Sequence, residues 1–351
     1  MLLESAGLAL ALAVAPPIDP QRLEQHLDQE VPARLRASGV PGVVISVVQG
    51  ERVLLAKGWG LADVDAGTPM DGTRTVVRVA SISKTVTATA LARLEARGRV
   101  DLDASIDRVL PEGLALAERF GEPVTVRQLL GHTAGIINNN VGRVARRPPA
   151  EALVDYLART MPPHVRPPGV AVLYSNHGNA LAGLAVEQLT AEPFARHVER
   201  EILEPLGMHR SSFERRPDLE AALATGYTVE DGEAAVYEDL YVRTVPASML
   251  HTTAADMARY MLMHLGAPGP GRAVLPPPAH QRMRTPGPGL HPALPSYHYA
   301  FAHGHTAGHP TRSHGGGLPG FLSRVVLFDE PQVGVFVAQN ADGTSIVSEL
   351  V

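Results

Sequence analysis

Ser81 and Lys84 stand three residues apart in "SISKTVTATALARL" (residues 81–94), with small and apolar neighbours on either side. The chain carries 31 basic residues, and only Lys57 and Lys84 among them are lysine. A guanidinium stays protonated under biological conditions, whereas a buried ammonium can give up its proton. A lysine kept where arginine is the habitual choice therefore points to proton chemistry. On a helix that begins near Ser81 the two side chains share one face, one turn apart, at the positive end of the helix dipole. There the lysine can take the serine's proton, and the helix N-terminus favours the oxyanion formed on attack. The competing reading is a serine cap followed by a surface lysine, and Ser-x-x-Lys alone does not decide between the two.

Two further stretches carry chemistry. In "LYSNHGNALAGLAVEQL" (173–189), Tyr174 and Asn176 stand on a turn before a helix, where both can point into a cleft. A buried tyrosine beside cations can ionise and act as a base; the alternative is a packing tyrosine with Asn176 or Asn179 as cap. In "SHGGGLPGFLSRVVLF" (313–328), Gly315, Gly317 and Gly320 satisfy the spacing of the dinucleotide fingerprint, but a β-branched run follows where that fingerprint needs a helix. Glycines at the start of an edge strand instead let a substrate backbone lie close and expose N–H groups, as an oxyanion hole requires.

Taken in order, Ser-x-x-Lys, Tyr-x-Asn and His-x-Gly resemble the penicillin-recognising serine hydrolases: class C type β-lactamases, DD-peptidases, D-aminopeptidases and related family VIII esterases. "DLDASIDRVLPE", "VTVRQLLGHTAGI", "EILEPLGMHRSSF" and "HTTAADMARYML" are similar to stretches between that family's motifs, so the resemblance covers residues 25–345 or thereabouts. It implies an α/β fold of the α+β type, β-lactamase/DD-peptidase-like, with an antiparallel sheet from both chain ends, flanking helices and a large helical insert. It implies Ser81 as the acylated nucleophile, Lys84 as its activating partner, and Tyr174 as base for attack and acid for the leaving group. Asn176 would bind the substrate amide or support Lys84. His314, Gly316 and Gly317 would line the substrate, with the N–H groups of Ser81 and Gly317 forming the oxyanion hole. Which of Lys84 and Tyr174 deprotonates Ser81 is a coupled titration that the sequence leaves open.

One departure bears on substrate. The β-lactamases of this group usually carry Lys-Thr-Gly at the third motif, where lysine and threonine help hold a carboxylate. His314 and Gly315 replace both here, and a histidine is only partly charged near neutral pH. The expected activity is hydrolysis, through an acyl-enzyme, of an ester or of a peptide or amide containing a D-residue, with weak or no β-lactam turnover. The alternatives are a true class C type β-lactamase and a non-catalytic penicillin-binding-like sensor or scaffold. No cofactor and no metal is expected: His303, His305 and His309 in "AHGHTAGH" read as an exposed loop, and His132 as a structural residue at a turn near the cleft. The stretch "PASML" (246–250) also departs from relatives and has no functional account at this level.

Elements must bring these residues together. "QRLEQHLDQEVPARLRASG" predicts an amphipathic helix ending near Gly39, and "PGVVISVVQGERVLLAKGWG" two strands joined at Gln49-Gly50-Glu51. "FLSRVVLFDEPQVGVFVAQN" repeats the hairpin pattern near the far end. Between them, residues 85–96, 149–160, 179–189, 194–203 and 253–265 read as helices. The economical arrangement is one catalytic domain over 20–351, with a sheet part (about 20–100 and 297–351) and a mainly helical part (about 101–296) meeting at a cleft. "ADGTSIVSELV" predicts the start of an amphipathic helix with Ile346, Val347, Leu350 and Val351 on one side. It reads as cut short, so membrane attachment through segments absent from this chain is a further expectation.

Composition sets the outer limits. With 351 residues, 45% of them apolar, the chain can bury a large core. A net charge of −5 and no basic run longer than the pair Arg146-Arg147 give no footprint for nucleic acid, so the expected partner is a small-molecule or peptide substrate. The absence of cysteine excludes disulfides and a thiolate nucleophile. Residues 1–19 form a separate N-terminal segment, in which the apolar run ending at Ala13-Val14-Ala15 resembles a secretory signal, although Glu4 sits where positive charge is expected. Export to the periplasm or beyond is the expectation, with an ordinary N-terminal helix and a cytoplasmic protein the alternative.

Overall fold

The β-branched run at residues 43–48 is buried on both faces, which requires cover above and below the sheet it joins. The computed structural model, which describes residues 16–350 apart from 115, 117, 118, 288–293 and 295, supplies both covers. Strand β1 (Gly42–Gln49) turns through Gly50, at φ +60°, into β2 (Arg52–Asp63), and the short β3 (Thr68–Pro69) follows. From the other end of the chain come β4 (Ser296–His298), β5 (Phe301–Thr306), β6 (His309–Leu318), β7 (Phe321–Phe328) and β8 (Val333–Gln339). These eight strands form one antiparallel sheet in the order β4-β5-β6-β7-β8-β1-β2-β3, so β8 and β1 join the two chain ends at its centre.

Helix α1 (Pro20–Ser38) covers one face. Asp19 caps it by accepting from the Gln21 and Arg22 N–H groups, and Gly39, at φ +73°, ends it. Its Leu27, Val31 and Leu35 pack with Val43, Ile45 and Val47 of β1. The opposite face belongs to the larger core, built around α2 (Ser83–Ala96), α3 (Asn176–Thr190), the single-turn α4 (Val245–Ser248) and α5 (Ala254–Leu265). Helix α2 is buried at every position from Ser83 to Leu94, so it has no polar face and can exist only inside this packing. Helices α3 and α4 pack on it closely enough that a Cβ on Gly183 would meet the Pro246 ring at 2.2 Å.

Three expectations are corrected. "AHGHTAGH" is not an exposed loop: Gly308, at φ +82°, lets β5 and β6 meet as a hairpin, and strand alternation turns His303 inward. The glycines of 315–317 do not begin an edge strand. They lie in the second half of β6, which β7 pairs on one side; on the other side β5 reaches only Ser313, so His314–Leu318 is left uncovered there. The last residues form a turn rather than a helix. Gly343 takes φ +82°, and buried Gln339 donates to the Ala341 and Thr344 carbonyls at 3.0 and 2.8 Å while accepting from the Ile346 N–H, which claims the backbone groups a helix would use. Ile346 and Val347 are nonetheless buried, against the α1 side of the sheet. Val351 and the Ala13-Val14-Ala15 run lie outside the described residues. No helix among the described residues is long and apolar enough to cross a membrane.

Candidate active site

Ser81 sits on a single 3-10 turn, Ala80–Ile82, at the entrance of α2. The approach to it is fastened from several directions. The short strand Val77–Arg78 pairs with His251–Thr252, the Val79 N–H donates to the Leu250 carbonyl at 3.2 Å, and the Ser323 hydroxyl donates to the Val79 carbonyl at 3.0 Å. Ala80 takes φ +48°, a left-handed conformation that costs a residue with a Cβ roughly 1–2 kcal/mol. Strain held next to a candidate nucleophile is maintained by the surrounding bonds. It sets Ser81 at the surface of the cleft while Lys84, one turn on, is fully buried.

The Lys84 amine has three neighbours: Ser81 Oγ at 2.9 Å, Asn176 Oδ1 at 2.8 Å and the Ala247 carbonyl at 2.8 Å. Burial, and after it the charge of Arg143, hold its pKa well below the ordinary lysine value, so the neutral amine is favoured. A neutral amine has two hydrogens and one lone pair. Asn176 Oδ1 and the Ala247 carbonyl can only accept, so they take both hydrogens. The lone pair is then left to accept the proton of the Ser81 hydroxyl. When protonated, the same group donates to all three.

Tyr174 stands beside this pair. Burial pushes the pKa of its hydroxyl up to about 12, so the phenol keeps its proton and is available as an acid. Its ring is another matter: 37% of the residue's surface faces the cleft, and the Lys84 amine lies 5.0 Å from the ring centre. His132 stacks on the ring, with centroids 4.2 Å apart, and its Nδ1 accepts the Ser175 N–H at 3.3 Å. Burial, then the nearby Lys84 and His314, drive the His132 pKa well below its ordinary value, so it is a neutral prop for Tyr174 rather than a charge.

Asn176 opens α3, whose first turn is capped by the Ser175 hydroxyl accepting from the Gly178 N–H. Its backbone N–H donates to Asn138 Oδ1 at 3.0 Å, which ties the 138–140 asparagine run to the site. The stretch "PASML" now has an account. Helix α4 presents the Ala247 carbonyl to Lys84, the Pro246 carbonyl accepts from Thr87, and the Leu250 N–H donates to the Ser83 hydroxyl. A carbonyl contact leaves no side-chain signature, so only the departure in sequence marked the place.

From the sheet side, β6 brings His314 within 6.3 Å of Tyr174, ring centre to ring centre. Its Nδ1–H donates to the Gly315 carbonyl at 2.6 Å, and burial followed by the nearness of Lys84 lowers its pKa to about 3. The ring is therefore neutral in the physiological range, and its buried Nε2, which has no partner, carries a lone pair. Gly316 has a use other than contacting substrate with a side-chain position: a Cβ there would lie 2.2 Å from the Val79 carbonyl, so the missing side chain lets β6 press against the nucleophile's segment. That contact sets the exposed Gly317 beside the turn carrying Ser81, where the resemblance places the second oxyanion N–H. The structure thus gathers Ser81, Lys84, Tyr174, Asn176, His314 and Gly317 around one cleft. His132 is the structural residue near the cleft that the sequence suggested, and the Ala247 carbonyl and Asn138 lie outside the three motifs.

Known proteins resemble this chain in sequence and fold. The chain is 32% identical over 209 residues to Esterase EstB of Burkholderia gladioli, an alignment that covers 56% of this chain and 53% of that protein. It spans about half the length of the curated relatives it matches. Its fold is similar to the octameric penicillin-binding protein homologue of Pyrococcus abyssi, with a TM-score of 0.78 at 24% identity over 93% of this chain and 74% of that one. It is similar also to the D-amino acid amidase of Ochrobactrum anthropi SV3, with a TM-score of 0.74 at 23% identity over 92% of both chains. The Beta-lactamase family model matches residues 21–348, and the chain belongs to that family.

Proposed function

We propose that this chain is a serine hydrolase that works through an acyl-enzyme on Ser81, with an ester or an amide or peptide containing a D-residue as substrate and little turnover of β-lactams. The observation that carries the reading is the set of partners around Lys84, which leaves the neutral amine's lone pair for the serine proton. In the first step Lys84 takes that proton as Ser81 Oγ attacks the carbonyl carbon. The oxyanion forms toward the N–H groups of Ser81 and Gly317. Collapse breaks the bond to the leaving group, which takes its proton from the Tyr174 hydroxyl, and the Lys84 ammonium then gives Tyr174 the proton it had taken from Ser81. Water then attacks the acyl carbon by the reverse route.

The substrate preference rests on His314. Neutral, with Nδ1–H committed to Gly315 and Nε2 buried as an unpaired lone pair, it has no N–H to give a carboxylate. The likeness to Esterase EstB supports the ester reading. The test is the ratio of kcat/KM for nitrocefin to that for p-nitrophenyl acetate, before and after joint replacement of His314→Lys and Gly315→Thr. There is room for the threonine, since a Cβ at Gly315 would meet only the Ser323 carbonyl, at 3.9 Å. A wild-type ratio well below one that rises in the double variant supports the proposal; a wild-type ratio far above one makes the protein a β-lactamase. Ser81 that no fluorophosphonate labels would make it a scaffold. The apolar run ending at Ala13-Val14-Ala15 supports export, which N-terminal sequencing of the mature protein from its host checks: an intact Met1 would refute it.

A further inference from the structure

Deeply placed arginines in this protein generally meet an acid: Arg78 meets Asp239, Arg93 meets Glu201 and Arg312 meets Asp329. Arg143 does not. Among the described residues its side chain has no ion pair and no hydrogen bond, and its Nε is buried without a partner. Its backbone is nonetheless held firmly. The Arg143 N–H donates to the Asn140 carbonyl at 3.1 Å, the Arg143 carbonyl accepts from the Arg243 N–H at 2.8 Å, and the next two residues pair with Tyr241–Val242. The same loop is tied to the catalytic turn by the bond between Asn138 and the Asn176 N–H. The guanidinium is close enough for its charge to act on Lys84 and on the Tyr174 hydroxyl. A half-buried cation with no counter-charge, set beside an amine that must also lose its charge, is unfavourable for the free enzyme.

We propose that the missing counter-charge arrives with the substrate: Arg143 binds a carboxylate carried by the substrate and so selects anionic substrates for Ser81. The proposal rests on the reading of Ser81 as an acylated nucleophile. The planar guanidinium fork suits a carboxylate, with two parallel N–H donors for two oxygens. It also fits the sheet side of the site, where His314 has no N–H left for a carboxylate. The anion is thereby placed on the helical side of the cleft rather than on β6. The rival location is Arg324, which stands across from Gly315 on β7 and lines a cavity of about 550 Å³ with Ser345 and Ser348.

Two matched series test this with the full chain. One carries the charge on the acyl group: the p-nitrophenyl monoesters of adipate and pimelate against the same esters with the distal carboxylate made a carboxamide. The other carries it on the leaving group: 3- and 4-acetoxybenzoate against the acetoxybenzamides. In at least one series the wild type should prefer the carboxylate by about tenfold or more in kcat/KM, the factor expected of one charged hydrogen bond. Arg143→Gln should abolish that preference and Arg143→Lys should keep part of it. No preference in the wild type overturns the proposal even if the variants fail to fold. So does a preference that survives Arg143→Gln, or one that Arg324→Gln removes instead. An equal loss on charged and neutral esters in Arg143→Gln also overturns it, since that is what a charge acting only on Lys84 would give. Neutral-ester turnover that Ser81→Ala leaves intact would instead refute the nucleophile assignment, a separate failure.

Discussion

Replacing Lys84 by methionine keeps the length and much of the shape of a fully buried side chain and deletes only the amine. The rate loss follows from what the amine does. Without the Lys84 lone pair to accept the Ser81 proton the attack loses its base, a contribution of about 10²–10⁴ in rate, or about 3–5 kcal/mol of activation free energy. Stability changes in two ways. Asn176 Oδ1 and the Ala247 carbonyl lose their donor, which costs about 1–3 kcal/mol for each acceptor left buried and unpaired. Against this, the variant no longer has to strip a proton from a lysine on folding. Because burial lowers the folded pKa of Lys84 below its unfolded value of 10.5, the unfolded wild type binds more protons, and wild-type stability rises with pH across that window. The gap in Tm between wild type and Lys84→Met should therefore widen in favour of the wild type as pH goes from 7 toward 10. Stopped-flow acylation by p-nitrophenyl acetate and thermal melts over that range measure both. Lys57→Met is the control. That lysine bridges Glu24 and Asp28 at the surface, pairs worth about 1 kcal/mol or less each, and it should leave the rate untouched. A Lys84→Met enzyme that keeps more than about a tenth of wild-type kcat/KM, below the usual range for a general base, refutes the assignment, and identical pH slopes of stability refute the lowered pKa.

Tyr174→Phe removes the hydroxyl and keeps the ring on His132, so Tm should hold while kcat falls by about a hundredfold or more; a fall under about tenfold would leave Tyr174 as packing only. In the wild type the alkaline side of the pH–rate profile should stay flat until the phenol ionises near about 12, and a fall well before that, with the fold intact, contradicts the raised pKa. Gly316→Ala drives a methyl to 2.2 Å from the Val79 carbonyl and 2.3 Å from Ser323 Oγ, so it should cost about 1–3 kcal/mol in stability and most of the activity. Gly317→Ala meets only Leu322, at 3.4 Å, and should fold normally; melts that rank the two variants the other way would show that Gly316 does not set the spacing.

The central strands were legible because a β-branched run without alternation can only be a strand covered twice, and the covers, α1 and α5, carry clear helical periodicity with Asp19 and Thr253 as caps. The candidate site residues were legible because serine, lysine and tyrosine at fixed spacing are side-chain chemistry. What escaped was chemistry done by the backbone or by absence. The Ala247 carbonyl, the contact made possible by Gly316, and the acid that Arg143 lacks depend on segments far apart in sequence. Local signals also misled at the tail, where Ile346 and Val347 have helical spacing but Gln339 captures the backbone first. The histidine hairpin was missed for a similar reason: His303, Gly304 and His305 have low strand propensity, and their place in the sheet is imposed by pairing with β6.

On the proposed mechanism, Lys84 becomes a base only when Asn176, 92 residues away, and Ala247, 163 residues away, close over it. Until those segments arrive the lysine is an ordinary hydrated ammonium and Ser81 an ordinary alcohol. Reactivity is thus a property of the finished chain and of no fragment of it. A nascent or partly opened molecule cannot acylate itself on passing esters, and damage that loosens either distant segment silences the serine before it exposes it. Recovery of burst acylation after dilution from denaturant would accordingly time the last long-range closure in folding, not the formation of helix α2.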